Sequence, residues 1–328
     1  MAKKTSPNVY TRQQLHDPAI RSFTGESLAR IAFPLGGIGT GTISLGGRGN
    51  LQDWEIFNNP NKGSHPPYTF PAIWARAAGD DPVTRILERR MLPPYDVHGG
   101  GLSPSDMACM PRLAEAVFLG VYPVARLTFQ DADLPVEVTL EAWNPFIPLD
   151  PENSGLPVAI LDYTVTNPAR PSRGRARGKT VAGTIAWSMQ NCSGWLGRFE
   201  GMWRSTSGFG MNVNEFVRGD GIAGLRMTST KHKPEDENYG TFALAGLHPD
   251  ATWHAAWTEP GWWDRAQRFW DYFSVGGNLE EGPAMSNPSP DNATWSARSA
   301  CGSTSSRASP CGCRSSLRGT CPTARGTR

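Results

Sequence analysis

The residues best equipped for chemistry in this chain are a glycine-rich run and a scatter of carboxylates, and neither forms a complete catalytic set. The run Phe33-Pro34-Leu35-Gly36-Gly37-Ile38-Gly39-Thr40-Gly41-Thr42 invites comparison with a phosphate cradle, in which G-x-G-x-x-G opens a helix whose first amides hold a pyrophosphate. Gly37 and Gly39 would need a third glycine where Thr42 stands, and the β-branched and aromatic residues that follow do not start a helix. The glycines instead fit a hairpin, supplying positive φ and close strand approach above Trp54 and Phe57. Asp53, Glu55, Glu115, Glu137, Glu141, Asp162 and Glu215 have the right type for general acid and base work, but their spacing singles out no pair. Asp162, inside an apolar stretch, reads as a hydrogen-bonded structural residue. No G-x-S-x-G occurs, and His16, His65, His98, His232, His248 and His254 show no H-E-x-x-H or paired ligand spacing, so neither a nucleophile elbow nor a metal site is expected. No cofactor is called for.

Binding has a better candidate in the loop after the hairpin. Asp53, Trp54, Asn58, Asn59, Asn61 and Lys62 set an aromatic ring beside amide, carboxylate and ammonium groups, a mixture suited to a pyranose. A hydrogen-bonded loop over a core Trp54 is the competing reading. Asn58 and Asn59 are the foremost candidates, ahead of Asp53 and Trp54.

The elements that must position this loop read as strands. Val136-Glu137-Val138-Thr139-Leu140-Glu141-Ala142 alternates apolar and polar residues, as does 124–130 with Ala125, Leu127 and Phe129 inward, the pattern of strands buried on one face. Residues 156–166 are more continuously apolar and suit a strand covered on both faces. Further strands are expected at 181–189, 209–217, 221–229, 239–247 and 251–257, punctuated by Gly and Pro as in antiparallel sandwiches. Trp262, Ala266, Phe269, Trp270 and Phe273 recur at helical spacing between Pro260 and Gly276-Gly277, which predicts a core-facing helix over 262–275. The fold class is mainly β: an antiparallel β-sandwich with one packed helix. Arg170 to Lys179 is a charge run without interleaved aromatics, and reads as an exposed hairpin loop.

Two ordered blocks carry a family resemblance. Pro34, Gly36-Gly37-Ile38-Gly39, Gly41, Gly49 and Trp54 form the first; Tyr122-Pro123, Leu134-Pro135-Val136-Glu137-Val138, Pro145-Phe146-Ile147-Pro148 and Ser154-Gly155-Leu156-Pro157-Val158, ending near Tyr163 and Asn167, form the second. Together they resemble the N-terminal domain of glycoside hydrolase family 116, the bile-acid β-glucosidase or non-lysosomal glucosylceramidase group. The resemblance covers roughly residues 25–285. It implies a retaining β-glycosidase whose nucleophile Glu and acid/base Asp lie on a following (α/α)6 helical domain, which becomes the expected partner. The domain plan is an extension at 1–24, the β-domain at 25–287 and a tail at 288–328. The chain then reads as an N-terminal fragment, inactive alone, with a free-standing carbohydrate-binding β-sandwich as the alternative.

The tail has its own signature. After Asp291 no acidic residue occurs, Leu317 is the one large aliphatic, and Cys301, Cys311, Cys313 and Cys321 fall among Ser, Arg, Gly and Thr. Such a segment buries too little to offset the entropy of ordering, so disorder is expected. Cys311-Gly312-Cys313 lacks zinc-ligand spacing, and a basic nucleic-acid tail would need aromatics beyond Trp295. A wrong reading frame through a GC-rich gene explains the mixture best. In the whole chain, 328 residues with 38% hydrophobic content and 12 Trp support a sizeable core, and a net charge of +2 argues against nucleic acid or an acidic bilayer as partner. No signal-peptide h-region and no run of about eighteen apolar residues is present. With only Cys109 and Cys192 outside the tail, a cytoplasmic location is expected.

Overall fold

A computed structural model describes residues 20–57, 59–91, 107–168, 179–195, 208–248, 251–256, 265–279, 282–305 and 310–320, with backbone alone for Arg265 and for those beyond 300. Its strands form three sheets. The largest has nine strands in the order Ser22–Phe23 (β1), Glu115–Val121 (β8), Val124–Gln130 (β9), Glu137–Trp143 (β10), Val158–Thr166 (β11), Pro310–Thr320 (β18), Thr241–Gly246 (β15), Ile222–Ser229 (β14) and Asn212–Gly219 (β13). A six-stranded sheet runs Ala251–His254 (β16), Ser296–Ser305 (β17), Val181–Gln190 (β12), Phe70–Ala77 (β5), Val83–Arg89 (β6) and Arg112–Leu113 (β7). A three-stranded sheet joins Ala32–Leu35 (β2), Thr42–Gly46 (β3) and Leu51–Glu55 (β4). All pairings are antiparallel except that of β6 with β7.

The alternation read from the sequence places the core. Leu127 on β9, Leu140 on β10 and Leu161 on β11 share one buried face, and Ile73, Ile185 and Trp187 from the six-stranded sheet meet them there. The opposite face of that second sheet presents Phe70, Ala72, Trp74, Ile86 and Ala186 to Ala266, Phe269 and Phe273 of a helix over Arg265–Gly276. Sheet residues of opposite parity thus serve two separate cores. Phe269 and Phe273 stack at 5.2 Å, and the Trp74 indole Nε1 donates to the Ser274 carbonyl at 3.1 Å, tying helix to sheet. The helix matches the predicted one from Arg265 onward; Pro260 and Trp262 lie outside the described residues, as does most of the Arg170 to Lys179 run.

Two expectations need correction. A third sheet replaces the simple two-sheet sandwich: the glycine-rich run makes β2 to β4, whose Leu35, Leu45 and Trp54 enter the common core. β11 is buried chiefly on one face, through Ala159, Leu161 and Tyr163, while on the other Val158 is buried and Ile160, Asp162 and Thr164 are half-buried. Among the described residues of the segment from 288 onward, Ser296–Ser305 (β17) lies between β12 and β16 and Pro310–Thr320 (β18) between β11 and β15, with ladder bonds that come from the backbone. Interior positions of a sheet between two layers accept small residues, as buried Ala297 and Ala300 do on β17.

Candidate functional surface

The loop nominated for sugar contact is tied down from both ends. Asp53 sits on β4 at φ 53° and is buried, its Oδ1 accepting the Gly63 amide at 2.6 Å. Trp54 is 0% exposed, with its ring 5.8 Å from that of Phe242. The Asn61 Nδ2 donates to the Trp54 carbonyl at 3.2 Å, and the Ser64 hydroxyl donates to the Asn61 carbonyl at 2.7 Å. Asp53 and Trp54 therefore hold the loop together and offer no face to a ligand. The strand alternation that puts Leu51 inside also buries Asp53, and Trp54, the next residue before the end of β4 at Glu55, is buried as well.

What remains accessible is polar. Asn59 is half-buried, its amide donating to the Ile56 carbonyl at 3.2 Å. Lys62 is well exposed and its ammonium lies 2.6 Å from Glu55. The Glu55 carboxylate, chiefly through that hydrogen bond, holds the Lys62 pKa above its ordinary value. Asn58 lies outside the described residues.

Next to this loop stands the glycine-rich turn. Gly41 backs onto the Glu55 carbonyl, where an added Cβ would come within 2.8 Å. On its other side Gly37 abuts Gly155 and Leu156, with a Cβ position 2.4 Å from the Leu156 carbonyl oxygen, and the Ile38 amide donates to the Ser154 carbonyl at 2.9 Å. Buried Ser154 in turn locks the loop before it, its hydroxyl donating to the Ile147 carbonyl at 3.0 Å and accepting from the Ile147 amide at 2.9 Å. A short helix, Pro151–Ser154 (α1), starts at Asp150, whose carboxylate accepts from the Asn153 amide. That bond lowers the Asp150 pKa. Between these loops and the tip of the β8–β9 hairpin lies an apolar surface: Tyr122 packs edge-on against Phe146 at 5.3 Å, and Ile38, Ile147, Leu149 and Leu156 are exposed around them.

The carboxylates form no enclosed acid–base pair among the described residues. Glu115 is bound by Arg89 at 3.0 Å, Glu215 by Arg226, and Glu137 is exposed on β10. Glu141 and Asp162 are cross-strand partners on β10 and β11, a juxtaposition that needed the register and was invisible in the sequence. Glu141 is exposed and Asp162 half-buried on the outer face of the sheet, with Arg126 beside Glu141 at 3.9 Å. His232 hydrogen-bonds the Gly208 carbonyl at 2.9 Å, and no group of three metal-type ligands occurs among the described residues. Burial pushes the Cys192 thiol far upward, which leaves it inert as a nucleophile.

The elements that converge here are those on which the sequence resemblance rested, and a family model agrees. The model described as beta-glucosidase 2, glycosyl-hydrolase family 116 N-term, matches residues 32–310. The chain belongs to glycoside hydrolase family 116. Its matched part runs from β2 through the helix at Arg265–Gly276 and past β17 to the first residue of β18, beyond the boundary expected near 287. Among solved structures, one described as "Putative kojibiose phosphorylase from human microbiome" aligns with 7% identity and a TM-score of 0.33, covering 89% of this chain. The family 116 chain spans 30% of that protein's length. Among the described residues no helix is long and apolar enough to cross a membrane.

Proposed function

We propose that this chain is the non-hydrolytic N-terminal domain of a family 116 β-glucosidase or glucosylceramidase, acting with a helical domain that carries the nucleophile and the acid/base. One observation carries the reading: the two motif blocks meet where Gly37 abuts Gly155 and Leu156, residues over a hundred positions apart in sequence. On this reading Asn59 and the Lys62–Glu55 pair edge the sugar site from the N-terminal side. The free-standing sugar-binding alternative loses its aromatic platform, because the Trp54 ring is sealed against Phe242. A cytoplasmic setting is part of the proposal and agrees with Cys109 and Cys192 forming no disulfide among the described residues.

The test is an aryl β-glucoside assay on the chain alone and on the chain joined to a family 116 helical domain. The chain alone should show no turnover, and the joined protein should hydrolyse the substrate with a KM raised several-fold by Asn59→Ala and kcat little changed. Turnover by the chain alone that Glu55→Gln or Asp162→Asn abolishes would overturn the proposal.

A further inference from the structure

We infer that the two large sheets hold a bound water molecule at Trp187, Ser299 and Trp253, shared by the two indole N–H groups and the serine hydroxyl. Register brings the three together. Ser299 on β17 lies directly opposite Trp187 of β12 on one side and Trp253 of β16 on the other. Residues directly opposed across antiparallel strands point to the same face, with Cβ atoms about 5 Å apart. That face is the inner one, because Trp187 and Ala297, the latter two residues before Ser299, both belong to the core between the sheets. A serine between two indoles leaves a notch in the row. Its surroundings are apolar and covered: Trp187 is 2% and Ser299 7% exposed, the Tyr163 ring of β11 lies 6.5 Å from that of Trp187, and Phe216 of β13 stacks on Trp253 at 4.0 Å. Yet Trp187 Nε1, Trp253 Nε1 and Ser299 Oγ, each sealed from solvent, have no hydrogen-bond partner among the described residues. Native proteins seldom leave buried polar atoms unpaired, and three in one row mark the place of an ordered ligand.

Valence selects the ligand. An indole N–H only donates, whereas a hydroxyl both donates and accepts. A water oxygen accepts from both indoles while one of its O–H groups donates to Ser299 Oγ, which gives the three partners usual for a buried water. A small anion would also accept from all three groups, but it would carry an uncompensated charge into an apolar interior. The neighbouring guanidinium groups are engaged elsewhere: Arg298 lies over the Phe269 ring at 4.4 Å, on the helix side of β17, and Arg218 donates to the Ala251 carbonyl at 3.3 Å. Two residues along from Phe216 and Trp253, Asn214 Nδ2 donates to the Ala255 carbonyl at 2.8 Å. The water extends that buried polar line and ties the edge strand β16 to β12 across β17.

The experiment is water-selective NOE spectroscopy on the full chain labelled at the indole nitrogen of tryptophan, with resonances assigned through Trp187→Phe and Trp253→Phe. Both indole protons should give cross-peaks to a long-lived water, whereas Trp74, whose N–H is taken by the Ser274 carbonyl, should give none. Trp253→Phe should weaken the Trp187 cross-peak several-fold, because the water is shared. Ser299→Val, which fills the notch, should abolish both. Absence of the cross-peaks in the parent would overturn the inference, as would a Trp187 cross-peak indifferent to Trp253→Phe. Titration with sodium chloride against sodium gluconate decides the charge of the ligand. Indole resonances that do not respond to either salt support water, whereas a saturable shift with chloride alone makes this an anion site and overturns it.

Discussion

Two neighbouring glycines show how differently the same residue type can be required. Gly39 is at φ 74° with nothing within 4 Å of a built Cβ, so its role is conformational. Gly37 has no positive φ, but its Cβ would collide with the backbone at Gly155 and Leu156. Asparagine tolerates the left-handed region, which separates the two. Gly39→Asn should change stability by less than about 1 kcal/mol, and Gly37→Asn should lose roughly 1–3 kcal/mol by forcing the 147–156 loop away. Urea melts of the two variants check the order, and equal losses would reject it. Both roles were named in the sequence reading, but which glycine served which was not legible, because the collision partner lies over a hundred residues along the chain. Asp150 gives a pH signature at the same end. Its folded pKa is depressed by the Asn153 amide bond, so its contribution is present above the unfolded carboxyl value and lost as pH falls through the folded value. Asp150→Asn keeps a capping oxygen and should flatten the acid limb of the stability profile below about pH 4; an unchanged limb would count against the assignment.

At the scale of elements, strands with clean alternation were legible to within a residue or two, and the buried polar seam was not. Asn191, Asn212 and Asn214 are each 0% exposed, and the strand pattern expected at 209–217 gave no sign that its amides lie inside. They bind backbone that no strand partner satisfies. Asn212 Nδ2 donates to the Ser193 carbonyl at 2.8 Å while its Oδ1 accepts the Gly210 amide at 2.9 Å, and Asn214 Nδ2 donates to the Ala255 carbonyl at 2.8 Å. Asn191 donates to the Asn214 side chain at 2.9 Å, linking the set. A buried donor or acceptor left unpaired costs about 1–3 kcal/mol. Asn212→Ala is therefore expected to destabilise by at least that amount, whereas Asn59→Ala, on the half-exposed loop, should be near neutral. Chemical denaturation of both tests the contrast. A neutral Asn212→Ala would mean that water replaces the amide and that the seam is not rigid.

For the whole molecule, the decisive question is the part played by the C-terminal strands, which composition assigned to a tail. The strand order makes them central. Without β18 the nine-stranded sheet divides into β1-β8-β9-β10-β11 and β15-β14-β13, and without β17 the edge strand β16 has no neighbour. β17 pairs with β12 along its whole length, from Val181↔Ser305 to Gln190↔Ser296, and β18 with β11 from Val158↔Arg318 to Thr166↔Pro310. Both cores reach β17, where Ala297 belongs to the large apolar cluster and Ala300 to the one under the helix. A chain ending at Trp295 should accordingly lose cooperative thermal unfolding and expose apolar surface, whereas one ending at Thr320 should melt as the parent does. Hydrogen exchange offers an independent reading on the intact chain. Amides of β11 that face β18 should be protected as strongly as those of β10, since an interior strand opens only with the sheet. If the shorter chain keeps its cooperative melt and those amides exchange at the rate of a free edge, β11 is the true margin of the sheet and the β-domain closes without its last strands.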